Sequence, residues 1–315
     1  MKSVIVNGKK LPIMTLGTVQ LGMNYGIANN GGQPDTQKSH SMLSAAIENE
    51  VTSLDTARAY GTSEDVLGAF LKTIDKKDDI FITSKVKLAL PEDSPEKEVE
   101  KAMYESVETS LSKLDVKKLD CLMLHSAPQM TMYGDIVPQT LEKMVKEGYI
   151  NMAGASVYFP HELDTMFKYD VYRATQIPMS LFDQKLISEG YMKKLHEKNI
   201  TVFVRSVFLQ GLFFLNPDEV SDPILQEYAC PYIRKLHEFC EEEGMTIAEF
   251  AISFIRDVEG VTSLVLGADT KEQVIQNINY LNAPAISEAT REKAYQTFKE
   301  VNLEKIMEVL RRPKA

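Results

Sequence analysis

Four residues in this sequence have side chains suited to acid–base chemistry and stand at comparable places along the chain: Asp55, Tyr60, Lys85 and His125. Asp55, Lys85 and His125 each close a short apolar run, and Tyr60 follows Asp55 by one short loop. Singly, each has a plain explanation. Asp55 caps a turn, Lys85 is a solvated strand end, His125 is a satisfied buried histidine and Tyr60 packs a loop. Together at one end of a barrel they form a buried Asp–Lys pair beside a phenol and an imidazole. Such a group is costly to desolvate and adds little stability, so function accounts for it better.

The chemistry that fits is reduction of a carbonyl, which needs hydride at carbon and a proton at oxygen. A phenol of ordinary pKa near 10 is a weak acid, and a neighbouring ammonium favours its anion. Lys85 is therefore expected to lower the pKa of Tyr60, with Asp55 keeping the lysine charged and oriented. His125 is expected to donate a hydrogen bond to the carbonyl oxygen and fix its direction.

Elements that could position these residues are legible as alternating periodicities. Short apolar runs occur at Ile13–Leu16, Val51–Leu54, Ile80–Thr83, Leu119–Leu124, Met152–Ala155, Ala174–Ile177, Thr201–Val204 and Ser263–Leu266. Between them lie helical patterns. Ser94-Pro95 reads as a cap with proline at the first helical position, followed by Val99, Met103, Val107 and Leu111 at a four-residue step. Similar periodicity spans Gln139–Lys146, Tyr191–Lys198, Pro231–Glu243, Thr246–Arg256 and Lys271–Leu281. Eight strands with intervening helices predict a (β/α)8 TIM barrel, in which catalytic side chains come from the C-terminal strand ends. An open doubly wound sheet is the alternative, but Gly17-Thr18-Val19-Gln20-Leu21-Gly22 is not its G-x-G-x-x-G turn. Ahead of the barrel, Asn7-Gly8 predicts an N-terminal β-hairpin that plugs one end. Beyond it, Ser287–Leu310 reads as an extra C-terminal helix. No linker breaks the pattern, so residues 1–315 are expected to form a single barrel domain.

Composition sets the class. With 44% hydrophobic and 25% charged residues over 315 positions, the chain is of globular type. A formal charge of −10 argues against nucleic acid as a partner. No run approaches the roughly 20 apolar residues of a membrane span, and the N-terminus lacks the apolar core of a secretory signal. Cys121, Cys230 and Cys240 have no metal-ligand spacing, and no metal site is expected. Reduced thiols and a cytoplasmic location are the expectation.

Leu54-Asp55-Thr56-Ala57-Arg58-Ala59-Tyr60-Gly61, with Ser63-Glu64 and Leu67-Gly68 after it, resembles the second-strand signature of the aldo-keto reductases. Thr83-Ser84-Lys85 and Leu122-Met123-Leu124-His125 resemble the third- and fourth-strand signatures. The resemblance runs from about Leu16 to Asn277. It implies an oxidoreductase that uses NADP or NAD to interconvert a small carbonyl and its alcohol. It also implies where the dinucleotide lies. Ser156 and Gln176 would bond the nicotinamide carboxamide, Asp55 would lie near its ribose, and Gly17 and Thr18 would approach by backbone. Arg205 takes the place where many members stack an aromatic ring on the nicotinamide. Ser206, Leu209 and Gly211 would line the pyrophosphate, and Gly267, Thr270, Gln273 and Asn277 would bind the adenosine end.

Three departures stand out. The usual Ser-Asn pair is Ser156-Val157 here. The adenosine segment, Gly267 to Gln273, offers Lys271 as its one cation and carries Asp269, which would repel a 2′-phosphate if it pointed inward. NADH use is therefore open beside NADPH. The substrate loops, Val19–Tyr25, Arg58-Ala59, Ser126–Tyr133 and Phe208–Leu215, lack tryptophan, so no aromatic clamp is expected, and a small sugar, polyol or aliphatic carbonyl fits best. Two rival readings are a cofactor-binding module without turnover and a metal-dependent sugar isomerase. The full set of four argues against the first. The scarcity of carboxylates and histidines at the strand ends argues against the second.

Overall fold

The structure, a computed structural model, describes residues 1–25 and 31–312. Residues 26–30 and 313–315, part of the single unit expected over 1–315, lie outside the described residues.

Asn7 and Gly8 take left-handed backbone conformations (φ 49° and 80°) and turn β1 (Ser3–Val6) antiparallel onto β2 (Lys9–Pro12). The eight apolar runs then become β3 (Met14–Gly17), β4 (Ser53–Asp55), β5 (Phe81–Val86), β6 (Leu119–Leu124), β7 (Ile150–Ser156), β8 (Tyr172–Pro178), β9 (Thr201–Arg205) and β10 (Ser263–Gly267). They pair in parallel in chain order, and β10 closes on β3. The fold is a (β/α)8 barrel with an N-terminal hairpin.

The hairpin seals the N-terminal end, as its turn signal predicts. Leu11 is fully buried against Phe81, Cys121, Met123, Met152, Ala174 and Phe203 inside the barrel. A polar anchor accompanies it. Lys9 Nζ donates to Asp120 Oδ2 at 2.9 Å and to the carbonyl of Ile80 at 3.0 Å. Asp120, only 3% exposed, also accepts from the Ile82 amide at 2.8 Å and from Asn151 Nδ2 at 3.2 Å.

The outer helices follow the sequence pattern, with boundaries set by local chemistry. Glu96–Leu114 buries Val99, Met103, Val107, Ser110 and Leu114, one side of a 3.6-residue repeat. Pro95 is its cap and not its first helical residue, because its ψ of 141° keeps the chain extended there. Thr246 and Glu249 form a reciprocal capping box ahead of Ile247–Arg256. The expected single helix over Ser287–Leu310 is instead two, Glu288–Phe298 and Leu303–Leu310. Asn302 breaks it. Its side chain accepts from the Lys305 amide and starts a new helix, a role asparagine performs better than it continues an old one. No helix among the described residues is long and apolar enough to cross a membrane.

Candidate active site

At the C-terminal end of the barrel, β4 ends on Asp55 and β5 carries Lys85 one residue before its end. Both are buried. The Lys85 ammonium donates to both carboxylate oxygens of Asp55 at 2.7 Å, to the Thr56 carbonyl at 3.1 Å and to the Tyr60 hydroxyl at 3.3 Å. Gln176, at the end of β8, donates Nε2 to Asp55 Oδ1 at 2.7 Å. Burial works against the ammonium, but Asp55 and then Tyr60 outweigh it and hold the Lys85 pKa above its ordinary value.

Tyr60 reaches this group because its loop is packed backbone to backbone. A Cβ on Gly22 would fall 1.8 Å from the Tyr60 carbonyl oxygen, and one on Gly61 (φ 55°) would fall 2.2 Å from the Gly22 carbonyl oxygen. Neither position has room for a side chain. A second tie holds the loop to β5. The Arg58 amide donates to the Lys85 carbonyl at 3.1 Å, while its guanidinium pairs with the buried Glu64 at 2.6 Å. Ser84 Oγ donates to the same carboxylate at 2.7 Å.

Burial raises the Tyr60 pKa, and Asp55 adds to the rise, against the opposing pull of Lys85. The lowering expected from the lysine is therefore outweighed, because the phenol lies in a poorly solvated site and Asp55 already compensates the ammonium. His125 follows β6, with its ring edge-on to Tyr60 at 5.6 Å between centroids and 86° between planes. Burial, with the charges of Lys85, Lys87 and Arg205, pushes its pKa down to about 4. The imidazole is neutral at ordinary pH, and its Nδ1 is buried without a hydrogen-bond partner.

One cavity of about 620 Å³ opens over these residues, within the range of cofactor and ligand sites. Tyr60, His125 and Asp55 line it, as do Gly17, Thr18, Gln176, Arg205, Ser206, Gly211, Gly267, Gln273 and Asn277 of the expected dinucleotide positions. Three expected residues are not on its wall. Ser156 is buried at the end of β7, in register beside Gln176. Leu209 packs into the core, with its amide bonded to the Ser206 carbonyl. Thr270 is occupied as a helix cap, accepting from the Gln273 amide at 3.2 Å.

The cavity suits an extended dinucleotide. The loop after β9 holds Ser206, Leu209, Gln210 and Gly211 at positive φ, a conformation that costs energy in a bulky residue such as Leu209 and clusters at ligand-binding loops. The 11-residue helix Lys271–Leu281 lays one side, Gln273, Gln276, Asn277 and Tyr280, along the cavity wall. Asp269 is also on the wall, its amide donating to Gln273 Oε1 at 2.6 Å.

Two readings of the substrate loops change. Ser126–Tyr133 is pinned away from the cavity: Gln129 exchanges hydrogen bonds with the Leu88 backbone, and Tyr133 donates to the Leu90 carbonyl. The mouth, though free of tryptophan, is aromatic, with Tyr25, Tyr158, Phe208, Phe214 and Tyr280 on it. Tyr158 escaped notice in the sequence because it follows β7 by two residues and belongs to no motif. Its ring carries the Arg205 guanidinium at 4.2 Å. Among the described residues, no group of three or more His, Cys, Asp or Glu is arranged to hold a metal ion.

Comparison with known proteins agrees with this fold. A model of the aldo/keto reductase family matches residues 13–293. The chain is 25% identical over 289 residues to the uncharacterized oxidoreductase YqkF of Bacillus subtilis, covering 87% of this chain and 92% of that one. Its fold superposes on the holo form of aldo-keto reductase AKR11C1 from Bacillus halodurans with a TM-score of 0.77 at 19% identity, covering 95% and 97% of the two chains. An aldo/keto reductase from Klebsiella pneumoniae, in complex with NADP and acetate, superposes with a TM-score of 0.66 at 20% identity over 92% of each chain. Members of this family are NAD(P)-dependent oxidoreductases acting on carbonyl and alcohol groups. With a barrel whose strand ends gather these residues and a family match spanning nearly all of it, the chain belongs to the aldo/keto reductase family.

Proposed function

We propose that this protein reduces a small aldehyde or ketone to its alcohol, reversibly, with Tyr60 as the proton donor. The observation that carries the reading is the Lys85 ammonium, shared between Asp55 and the Tyr60 hydroxyl on the floor of the cavity. The reduced nicotinamide supplies the hydride when the dinucleotide is bound. Everything else falls to the chain's own residues.

Tyr60 carries its proton at neutral pH as any phenol does, and burial only raises its pKa further, so the proton is in place for the carbonyl oxygen in the reductive direction. Lys85 stabilises the phenolate left behind, and Asp55 with Gln176 holds the ammonium in place. Neutral His125 orients the carbonyl. A buried Nδ1 without a partner favours the tautomer with its proton on Nε2, the nitrogen left to donate. Gln176, Arg205, Ser206 and Gly211 would hold the nicotinamide and pyrophosphate, and Gly267, Gln273 and Asn277 the adenosine.

Asp269 favours NADH over NADPH. Asp269 is on the adenosine wall, and a carboxylate there repels a 2′-phosphate. An extended dinucleotide takes up much of the cavity, which leaves room for a small sugar, polyol or aliphatic carbonyl against the aromatic mouth. The test is a panel of such carbonyls with NADH and NADPH. Steady oxidation of NADH by at least one of them is expected. Tight dinucleotide binding with no turnover across the panel would overturn the reading.

A further inference from the structure

Arg205 is the one strand-end residue whose charge is left over once the acid–base group is assembled. Lys85 is matched by Asp55 at 2.7 Å, so that pair adds no net charge to the cavity floor. Arg205, closing β9, has no carboxylate within 4.0 Å among the described residues. Its contacts are neutral. Nη2 donates to the Val157 carbonyl at 3.3 Å, and the guanidinium plane lies 4.2 Å from the centre of the Tyr158 ring. These contacts fix the group in place without cancelling its charge.

The position of that charge matters. Arg205 lines the same cavity as Tyr60 and His125 and is already felt at the imidazole. A carbonyl bound at Tyr60 and His125 must receive hydride from a ring in van der Waals contact with its carbon, so the nicotinamide lies within this same wall. That ring is neutral when reduced and carries a full positive charge when oxidised. A fixed cation beside it leaves the first untouched and repels the second. Burial pushes the pKa of Asp183 up to about 6, while Arg205 pulls it toward its charged form. Lys185 faces Asp183 as well. Asp183 is not on the cavity wall, so its screening at the ring is partial.

We propose that Arg205 makes this site discriminate by redox state, holding the reduced dinucleotide and releasing the oxidised one through repulsion between its guanidinium and the cationic nicotinamide. The inference rests on the proposed function, since it requires a nicotinamide in this cavity. It assigns Arg205 a role that a neutral stacking ring in the same place does not have: oxidised cofactor leaves readily after carbonyl reduction.

The experiment measures dissociation constants by titration calorimetry for NADH, NAD⁺, NADPH and NADP⁺, at low and high salt, with no carbonyl present. The wild-type protein is expected to bind each reduced form more tightly than its oxidised partner. Arg205→Met is expected to shrink the oxidised-to-reduced ratio about tenfold, mainly by tightening the oxidised form. Arg205→Lys keeps the charge and is expected to keep the ratio within about twofold. A ratio unchanged in Arg205→Met, both constants moving together, overturns the proposal and leaves the proposed function intact. So does a Lys variant that behaves like the Met variant, because stacking and not charge is then responsible. Failure of all four dinucleotides to bind the wild-type protein overturns both.

Discussion

The ammonium of Lys85 lies 2.7 Å from both carboxylate oxygens of Asp55, and neither side chain is more than 3% exposed. An ion pair buried this deeply costs more to desolvate than it returns in attraction, unless other hydrogen bonds complete it. Here Gln176 and the Thr56 carbonyl do so, and the remaining direction of the ammonium points at Tyr60. The pair sets a charge beside a phenol.

Removing one partner should therefore damage more than catalysis. Lys85→Met leaves Asp55 buried with one hydrogen-bond donor and is expected to lower unfolding free energy by about 3–5 kcal/mol in urea titration. Asp55→Asn combined with Lys85→Met should recover most of that loss while remaining inactive. Equal stability of the single and double variants would show that the pair is not coupled.

His125 carries a pH signature. Its folded pKa of about 4 is below the ordinary 6.5, so between those values the unfolded chain binds a proton that the folded chain refuses. Stability linked to the neutral imidazole is fully present above about pH 6.5 and is lost as pH falls toward 4. Thermal unfolding of wild type and His125→Asn at pH 7.5 and 4.5 should show a larger acid-induced drop for the wild type. Parallel drops would mean the imidazole titrates normally.

Cofactor choice should turn on Asp269. Replacing it with serine is expected to raise kcat/KM for NADPH about tenfold with little change for NADH. A wild-type protein that already prefers NADPH strongly would contradict this role for Asp269.

The far end of the barrel offers a control. Asp120 gathers Lys9, Ile82 and Asn151 under the hairpin, at the start of the strand that His125 follows. Asp120→Ala leaves the partly buried Lys9 ammonium and the Ile82 amide without their acceptor and is expected to cost about 1–3 kcal/mol of stability. Turnover by the folded fraction should stay near wild type, and a matching fall in turnover would mean that the hairpin couples to the site.

Much of this architecture is legible in the residues themselves. The eight apolar runs predict all eight barrel strands, because each is short, bounded and followed by a helical repeat. Asp55, Tyr60, Lys85 and His125 meet as expected, since a barrel carries every strand end to one rim. What depends on contacts between distant segments was hidden. Gly22 and Gly61 look like ordinary turn glycines until their backbones are seen to touch, and Gln176 gives no sequence sign that it bonds Asp55. Leu209 and Thr270 sit at the expected places along the chain, but one is drawn into the core and the other into a helix cap. The sign of the Tyr60 shift was also hidden, because it is decided by burial, which no local pattern reports.

The central claim is that the Tyr60 hydroxyl delivers the proton that completes carbonyl reduction. Rapid mixing of wild type and Tyr60→Phe, each saturated with reduced dinucleotide, against a reactive aldehyde follows dinucleotide oxidation in a single turnover. The account predicts a rate lower by about 10²–10⁴-fold in Tyr60→Phe, with dinucleotide affinity unchanged within about twofold. A single-turnover rate in Tyr60→Phe within about threefold of wild type would contradict it.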